Sequence, residues 1–457
     1  MGKKFKMLLI FFSLALSSAV YSDNGEIKNE EKIVAQESTT IQAVTEEKKD
    51  IDIEKEELNL KSNGKNENEF LFQLKKVYGF DEKQKSKLVP FVYYIGEAGL
   101  MAGAFYFNTD TFNLGGKTTS VLLYGPFTDI ATSWTEMKDF KISKNVRIGG
   151  TLKLIKYNDI RNYWPGNNSP ECEADEKKID EFTTMYKKVK QGLLPESELD
   201  DYRNENYEDL RGYQKYHGFN NKIAFKMAYK IGNNTDLTFE PAYEVLKTQV
   251  SRYQSDTVTA GITNKKIDDE VNPRKGYKVL FNVKKSLNLL GKDDENNWDF
   301  YNLILDARKY FPVMKKSTLA FRIKTETTGG KKVKDEKRSL IEGKDIYSYA
   351  PFFDMAMLGD FEIMRGSYMY RYWGKNSMLL QGEYRFPLFG KDNIQGTIFA
   401  DIGRVGDEYK VKELFTDMNY NGGAGVRYYF NKDILIRVDM GVSEEGFQIR
   451  SNLGQAF

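Results

Sequence analysis

Cysteine and histidine are almost missing from this sequence. A single cysteine, Cys172, excludes an internal disulfide and any thiolate metal cluster. A single histidine, His217, excludes the usual multi-histidine metal sites. Neither sign of charge dominates: 68 basic and 66 acidic side chains leave +2, which argues against nucleic acid as a partner. No Gly-x-Ser-x-Gly elbow and no phosphate loop occurs. The expectation is a protein that is not an enzyme and that uses no metal or cofactor. Beyond the N-terminus no run of about 18 uninterrupted apolar residues occurs, so no transmembrane helix is expected. A soluble secreted protein and a β-barrel remain, because a barrel shows its membrane face only in alternate residues.

Lys3, Lys4 and Lys6 precede an apolar run from Met7 to Val20, with small residues leading to Ser22. This reads as a secretory signal peptide over 1–22, cut after Ser22, and the run is shorter than the roughly 20 residues that span a bilayer. Between Asp23 and Leu60 stand 12 acidic and 5 basic residues and no proline. Residues 23–86 are therefore expected to form an acidic, disordered periplasmic tail.

From Lys87 the period becomes two. Ile223, Phe225, Met227 and Tyr229 alternate with Ala224, Lys226, Ala228 and Lys230; Tyr277, Val279, Phe281 and Val283 alternate with Lys278, Leu280, Asn282 and Lys284; Ile434 to Gly441 behaves alike. Sixteen candidate strands follow: 88–94, 98–108, 117–126, 129–137, 145–158, 213–230, 235–250, 256–263, 274–286, 297–310, 316–327, 377–388, 393–403, 419–430, 433–442 and 446–457. The three longest connections, 159–212, 328–376 and 404–418, all follow odd strands. Those at 231–234, 312–315, 389–392 and 431–432 follow even strands and are short. Long external loops and short periplasmic turns mark an outer-membrane barrel, and a sandwich has no reason to produce them. The expected fold is all-β: a sixteen-stranded antiparallel transmembrane β-barrel over 87–457. The final segment, ending at Phe457, suits an interfacial aromatic girdle.

Three segments near the C-terminus stand in a telling order: Met357 to Ser367 with Arg365-Gly366, Gly382 to Leu388 with Glu383 and Arg385, and Phe399-Ala400-Asp401-Ile402-Gly403. With the Asp269 to Gly276 turn and the ending Gly454 to Phe457, they resemble the BamA/TamA outer-membrane superfamily, the bacterial surface antigen family. The resemblance is strongest from about 345 to 457, weaker from 256, and vague before that. It implies that the long external loop folds back into the lumen, where Arg365 meets Glu383 and Asp401. It also implies that Arg385, Phe399 and Gly403 belong to the barrel motif and that Phe457 is an assembly signal. The alternation independently points Gln381, Glu383 and Arg385 inward on one strand and Thr397 and Asp401 inward on the next. A guanidinium fork suits two carboxylates, and Gly366 permits the turn that delivers it. Ser367 replaces the family's usual aromatic, and Gly359-Asp360 replaces its frequent Gly-Gly. Family members that insert or translocate proteins carry periplasmic polypeptide-transport-associated domains. The acidic 23–86 segment does not resemble one, so a barrel-only member is expected.

The resemblance implies a bacterial outer-membrane protein that assists insertion or translocation of polypeptides through a lateral seam between the first and last strands. Its partners would be outer-membrane lipid, unfolded outer-membrane polypeptides and a separate periplasmic domain protein. Pro90, which cannot donate a ladder bond, is expected to interrupt the first strand at that seam. The alternative is a passive channel or structural barrel, in which Arg147, Lys153, Lys226, Lys230, Arg427 and Arg437 would favour anions. A third reading is a surface antigen presenting the charged loop Glu171 to Glu205. His217 is read as a rim or lumen side chain, Cys172 as an incidental thiol, and Gly422 to Gly425 as a crowded stretch of barrel wall.

Overall fold

The computed structural model describes residues 86–95, 99–125, 129–166, 173–248, 252–287, 289, 298–314, 316–389, 393–407, 416–429 and 435–457. The expected signal peptide, nearly all of the acidic tail and Cys172 lie outside them.

Sixteen strands form one antiparallel sheet in chain order: β1 (Ser86–Ile95), β2 (Gly99–Thr111), β3 (Gly116–Gly125), β4 (Ile130–Lys141), β5 (Val146–Asn162), β6 (Gln214–Ile231), β7 (Thr235–Thr248), β8 (Arg252–Ile267), β9 (Gly276–Ser286), β10 (Phe300–Pro312), β11 (Thr318–Gly330), β16 (Asn376–Pro387), β17 (Ile394–Gly406), β18 (Asn419–Tyr429), β19 (Leu435–Ser443) and β20 (Gly446–Leu453). Four short strands, β12 (Val333–Lys334) to β15 (Tyr372–Gly374), lie within the connection between β11 and β16. Every sheet neighbour is a sequence neighbour, and the meander curls until β1 and β20 approach within 8 Å between Cα atoms. Among the described residues no hydrogen-bonded register joins those two strands.

The wall inverts the usual burial rule. Its exposed outward side chains are large and apolar: Met227 and Tyr229 on β6, Val279, Phe281 and Val283 on β9, Val438 and Met440 on β19. Its inward side chains on the later strands are polar or charged and buried: Asp306, Arg322, Gln381, Asp401 and Asp439. Such a surface costs free energy in water and suits lipid. The connections follow the expected asymmetry. None of those after even strands exceeds eight residues, whereas 163–213 and 331–375 follow odd strands. The third-longest connection is 287–299 rather than the one after β17, and it too follows an odd strand.

Four expectations need correction. Pro90 does not interrupt β1; it pairs opposite Ala104 on β2 with its neighbours in register. The last strand stops at Leu453, where Gly454 adopts φ +79° and turns the chain. Phe457 is then buried against Tyr310 and Ala320 instead of joining an outer girdle. The charged loop read over Glu171 to Glu205 is not irregular chain where it is described. From Glu173 on, the connection folds into helices α1 (Glu176–Lys190), α2 (Glu196–Glu205) and α3 (Tyr207–Arg211), with Asp175 capping α1 through its side chain. The fourth correction concerns the arginines of the lumen and follows below.

The helices share an apolar core of Trp164, Ile179, Phe182, Leu199 and Leu210, completed by Ile341 from α4 (Glu336–Glu342) of the β11–β16 loop. Arg211 pairs with Glu342 at 2.8 Å, and Trp373 Nε1 donates to the Tyr163 carbonyl at 2.8 Å. The two long loops are therefore one folded cap. At its surface Tyr202 donates to Glu181, and partial burial together with that carboxylate pushes the Tyr202 phenol up to about 12.

Candidate functional site

The β11–β16 loop descends into the lumen. Phe352, Phe353 and Asp354 form a 3-10 turn, after which β14 (Ala356–Leu358) and β15 pair as a short ribbon. Between them a tight loop is built from local hydrogen bonds. Asp360 Oδ1 accepts from the amides of Glu362 and Ile363 at 2.5 and 2.7 Å, an Asx arrangement. Gly359 stands at φ +101°, where a Cβ would collide with the Tyr368 carbonyl. Met364 takes φ +53°, and the Ser367 amide closes a turn on the Met364 carbonyl at 3.0 Å. Arg365 sits at the tip of this turn.

Arg365 is fully buried and uses its whole guanidinium. Nε and Nη2 form a fork on Asp401 at 3.0 and 2.9 Å, and its own amide donates to the same carboxylate at 3.1 Å. Nη1 reaches Glu383 at 3.0 Å and Asp439 at 3.4 Å. The guanidinium carbon lies 3.5 Å from the centroid of the Phe399 ring, a cation–π contact in a desolvated place. The structure thus brings Arg365, Glu383, Asp401 and Phe399 together, and adds Asp439 from β19.

Around this centre the carboxylates are shared. Glu383 also accepts from Arg385 at 2.9 Å and from Arg427 at 3.3 Å; Asp439 also accepts from Arg427 and Arg437, both at 2.7 Å. Gln381 donates to Asp401 at 3.0 Å and to the Glu362 carbonyl at 2.8 Å. Four arginines thus face three carboxylates, all nearly or completely buried. Buried charges are tolerable only when such a network answers each of them. The network also corrects the channel expectation: Arg427 and Arg437 are spent on Asp439, Glu383 and the Phe361 carbonyl, so they present no free charge to a passing anion. Arg147 likewise pairs with Asp236 at 2.7 Å.

Glycines clear the space. A Cβ at Gly403 would meet Leu358 at 2.8 Å and Met364 at 3.1 Å, so the motif glycine makes room for the loop. A Cβ at Gly366 would meet the Val442 backbone at 2.8 Å, and one at Gly441 would meet the Gly366 amide at 2.6 Å. Loop and wall touch backbone to backbone there. Gly423 and Gly425, in the stretch read as crowded wall, leave the volume that Phe399 and the Asp439–Arg427 pair occupy. Ser367, where the family has an aromatic, is buried and shares a hydrogen bond with Asn421 at 3.2–3.3 Å. Ser443 adds a bond to the Gly366 carbonyl at 2.9 Å, and Arg450 one to the Ser367 carbonyl at 2.6 Å. The loop is therefore anchored by small polar groups where an aromatic would have filled space.

Phe457 joins this assembly from the tail. Arg385 Nη2 donates to its main-chain oxygen at 2.7 Å, and Gln455 bridges to Tyr429 at 3.0 Å and to Asn272 at 3.2 Å. The Asp269 to Gly276 turn is held by Asp268 and Asp269 capping four amides between them. His217 is an exposed side chain on β6, away from this site. Sequence reasoning missed Asp439, Arg437 and Gly441 as members of the site. The inward phase of 435–441 was visible in the alternation, but nothing local says which inward groups meet the loop.

The comparisons agree with this geometry. The Omp85 superfamily domain matches residues 184–457, more than half of the chain. No curated protein matches it in sequence. Among solved structures, CdiB from Escherichia coli superposes with a TM-score of 0.52 at 9% identity, over 82% of this chain and 64% of that one. BamA from Haemophilus ducreyi lacking POTRA domains 1–3 gives 0.48 at 12%, over 82% and 71%. CdiB from Acinetobacter baumannii gives 0.47 at 11%, over 81% and 60%. The chain thus spans less than two thirds of either CdiB. With sixteen strands in meander order, an in-folded loop and a domain match over most of the wall, this chain belongs to the Omp85 superfamily.

Proposed function

We propose that this chain is a bacterial outer-membrane barrel that assists insertion or translocation of polypeptides at a seam between β1 and β20. The observation that carries the reading is the seam itself. Fifteen neighbouring strand pairs are zipped by hydrogen bonds, while β1 and β20 lie side by side with no register between them among the described residues. Opening the wall there breaks fewer bonds than opening it anywhere else. The buried network meanwhile fixes the loop against β16, β17 and β19, so the lumen beside the later strands is filled rather than open. On this reading the partners are outer-membrane lipid, an unfolded polypeptide and a separate protein supplying periplasmic domains; no covalent chemistry and no cofactor is involved.

The test uses a Cys172→Ser background with one cysteine placed on β1 and one on β20, reconstituted in liposomes with an unfolded outer-membrane polypeptide. Oxidation should stop insertion and reductant should restore it. Insertion at an unchanged rate with the disulfide formed would overturn the seam.

A further inference from the structure

The two halves of the lumen are chemically unlike. The inward faces of β16 to β20 are charged, as described above. Those of β2 and β3 are apolar: Met101, Phe105, Val121 and Leu123 are all buried on the inner side, while Leu100, Tyr106, Leu122 and Tyr124 cover the outer side. Against this inner apolar wall lies a cavity of about 610 Å³, closed on its other side by Phe361 and Tyr370 of the in-folded loop. Its volume falls in the range of roughly 300–1,000 Å³ typical of small-molecule sites. Water in such a hollow finds few hydrogen-bond partners, so an apolar occupant that displaces it is favoured.

The cavity is long. It runs from Phe91 on β1, with Leu453 of β20 beside it, to Ile155 on β5. Four inter-strand steps of about 4.8 Å make this arc about 19 Å, the reach of an extended long acyl chain. One end carries a charge. Lys153 on β5 lines the cavity, and among the described residues its ammonium has neither a hydrogen bond nor an ion-pair partner. Its cross-strand neighbour on β6 is another lysine, Lys222; Glu244 lies 3.3 Å from Lys222, and its charge reaches Lys153 as well without a direct ion pair. Like charges directly opposite each other on a sheet are destabilising until an anion answers them. The carboxylates in the lining do not serve: Glu136 pairs with Lys138 at 3.4 Å, and Glu362 lies in the field of Arg437, Arg322 and Arg308. The other cation, Arg161, is taken up by the Tyr163 hydroxyl and by the Tyr213 and Tyr368 rings.

We infer that this cavity binds a single-chain anionic amphiphile of the long-chain fatty acid class, its carboxylate on Lys153 and its chain laid along the inner face of β2 to β4 toward β1. The site stands on the cavity and its cation, and it does not depend on the seam opening.

The experiment uses the full chain in nanodiscs of zwitterionic phosphatidylcholine with a palmitic acid that carries a diazirine near its methyl end. After illumination, adducts are mapped by mass spectrometry. Adducts are expected on inward Phe105 or Leu123, competed away by unlabelled palmitate. They should fall at least about tenfold in Lys153→Gln and for the corresponding uncharged alcohol, and vanish in Leu123→Trp, which fills the hollow. Adducts at outward Tyr106 and Leu122 should persist in every variant, which certifies a folded wall. Labelling confined to the outward positions would overturn the site. So would inward labelling indifferent to Lys153 and to the head group. Capture of an unfolded barrel polypeptide by a benzophenone side chain at position 123, with no inward lipid adduct, would assign the cavity to a client chain instead.

Discussion

At the scale of single residues, Arg365 is held by charge that has nowhere else to go. Asp401 and Glu383 have almost no exposure to water; removing the guanidinium leaves Asp401 in a dry place with Gln381 and a backbone amide as donors, and takes from Glu383 one of its three arginines. Arg365→Ala should therefore cost about 3–5 kcal/mol of barrel stability, read from the urea midpoint of unfolding from lipid vesicles. The double variant Arg365→Met with Asp401→Asn should recover part of that loss, since it removes charge from both sides. A double variant no more stable than Arg365→Ala would mean that shape, not charge, holds the loop. Gly441→Val tests backbone contact alone: its side chain must displace Gly366, so the loop should become accessible to protease while the wall survives. The trio Arg365, Glu383 and Asp401 was legible through the family resemblance, and the alternation of two strands allowed it by placing both carboxylates inward. Asp439 and Arg427 were not. Their roles arise only where β18 and β19 stand behind the loop, 74 residues from Arg365 in the case of Asp439.

At the scale of elements, alternation explains both what the sequence revealed and what it blurred. Strands β6, β9 and β19 have one apolar and one polar face, and their expected spans fall close to the observed ones. On β2 and β3 both faces are apolar, so the period-2 signal fades and the early spans were off by a few residues. The cap was hidden by composition: its helices are highly charged, and their few core residues lie scattered over a long segment and a second loop. The cap should act as a separable unit. Phe182→Ala, at the centre of its core, should cost roughly 3–5 kcal/mol locally, seen as faster proteolysis within 173–213 with the barrel's heat-resistant band unchanged. Alkali probes its surface. Tyr202 titrates higher in the folded cap than a free tyrosine, so its contribution is complete below pH 10 and is lost as pH rises through about 12. Protection of the cap should weaken over that interval in wild type, and Tyr202→Phe should remove the step.

At the scale of the whole molecule, the loop and the inward tail both lie against the inner face of one sheet. Single-channel recordings should find wild type nearly closed, Arg365→Ala flickering, and deletion of 345–370 open. A large steady wild-type conductance unaffected by either change would make a passive pore the primary reading. Sixteen strands and the alternation of long and short connections were readable from the sequence, because barrels of the outer-membrane type share that asymmetry. Which wall faces a filled bore and which a hollow one was not, because it depends on where the loop lands. The landing site has a consequence for time as well as for space. Arg365 draws its partners from β16, β17 and β19, all of which are synthesised after it. The loop gains the last of its three carboxylates only once the penultimate strand has arrived, so its full seating marks the near-completion of the wall. A chain ending before Asp439 should hold the loop less firmly, read as faster proteolysis within 345–370.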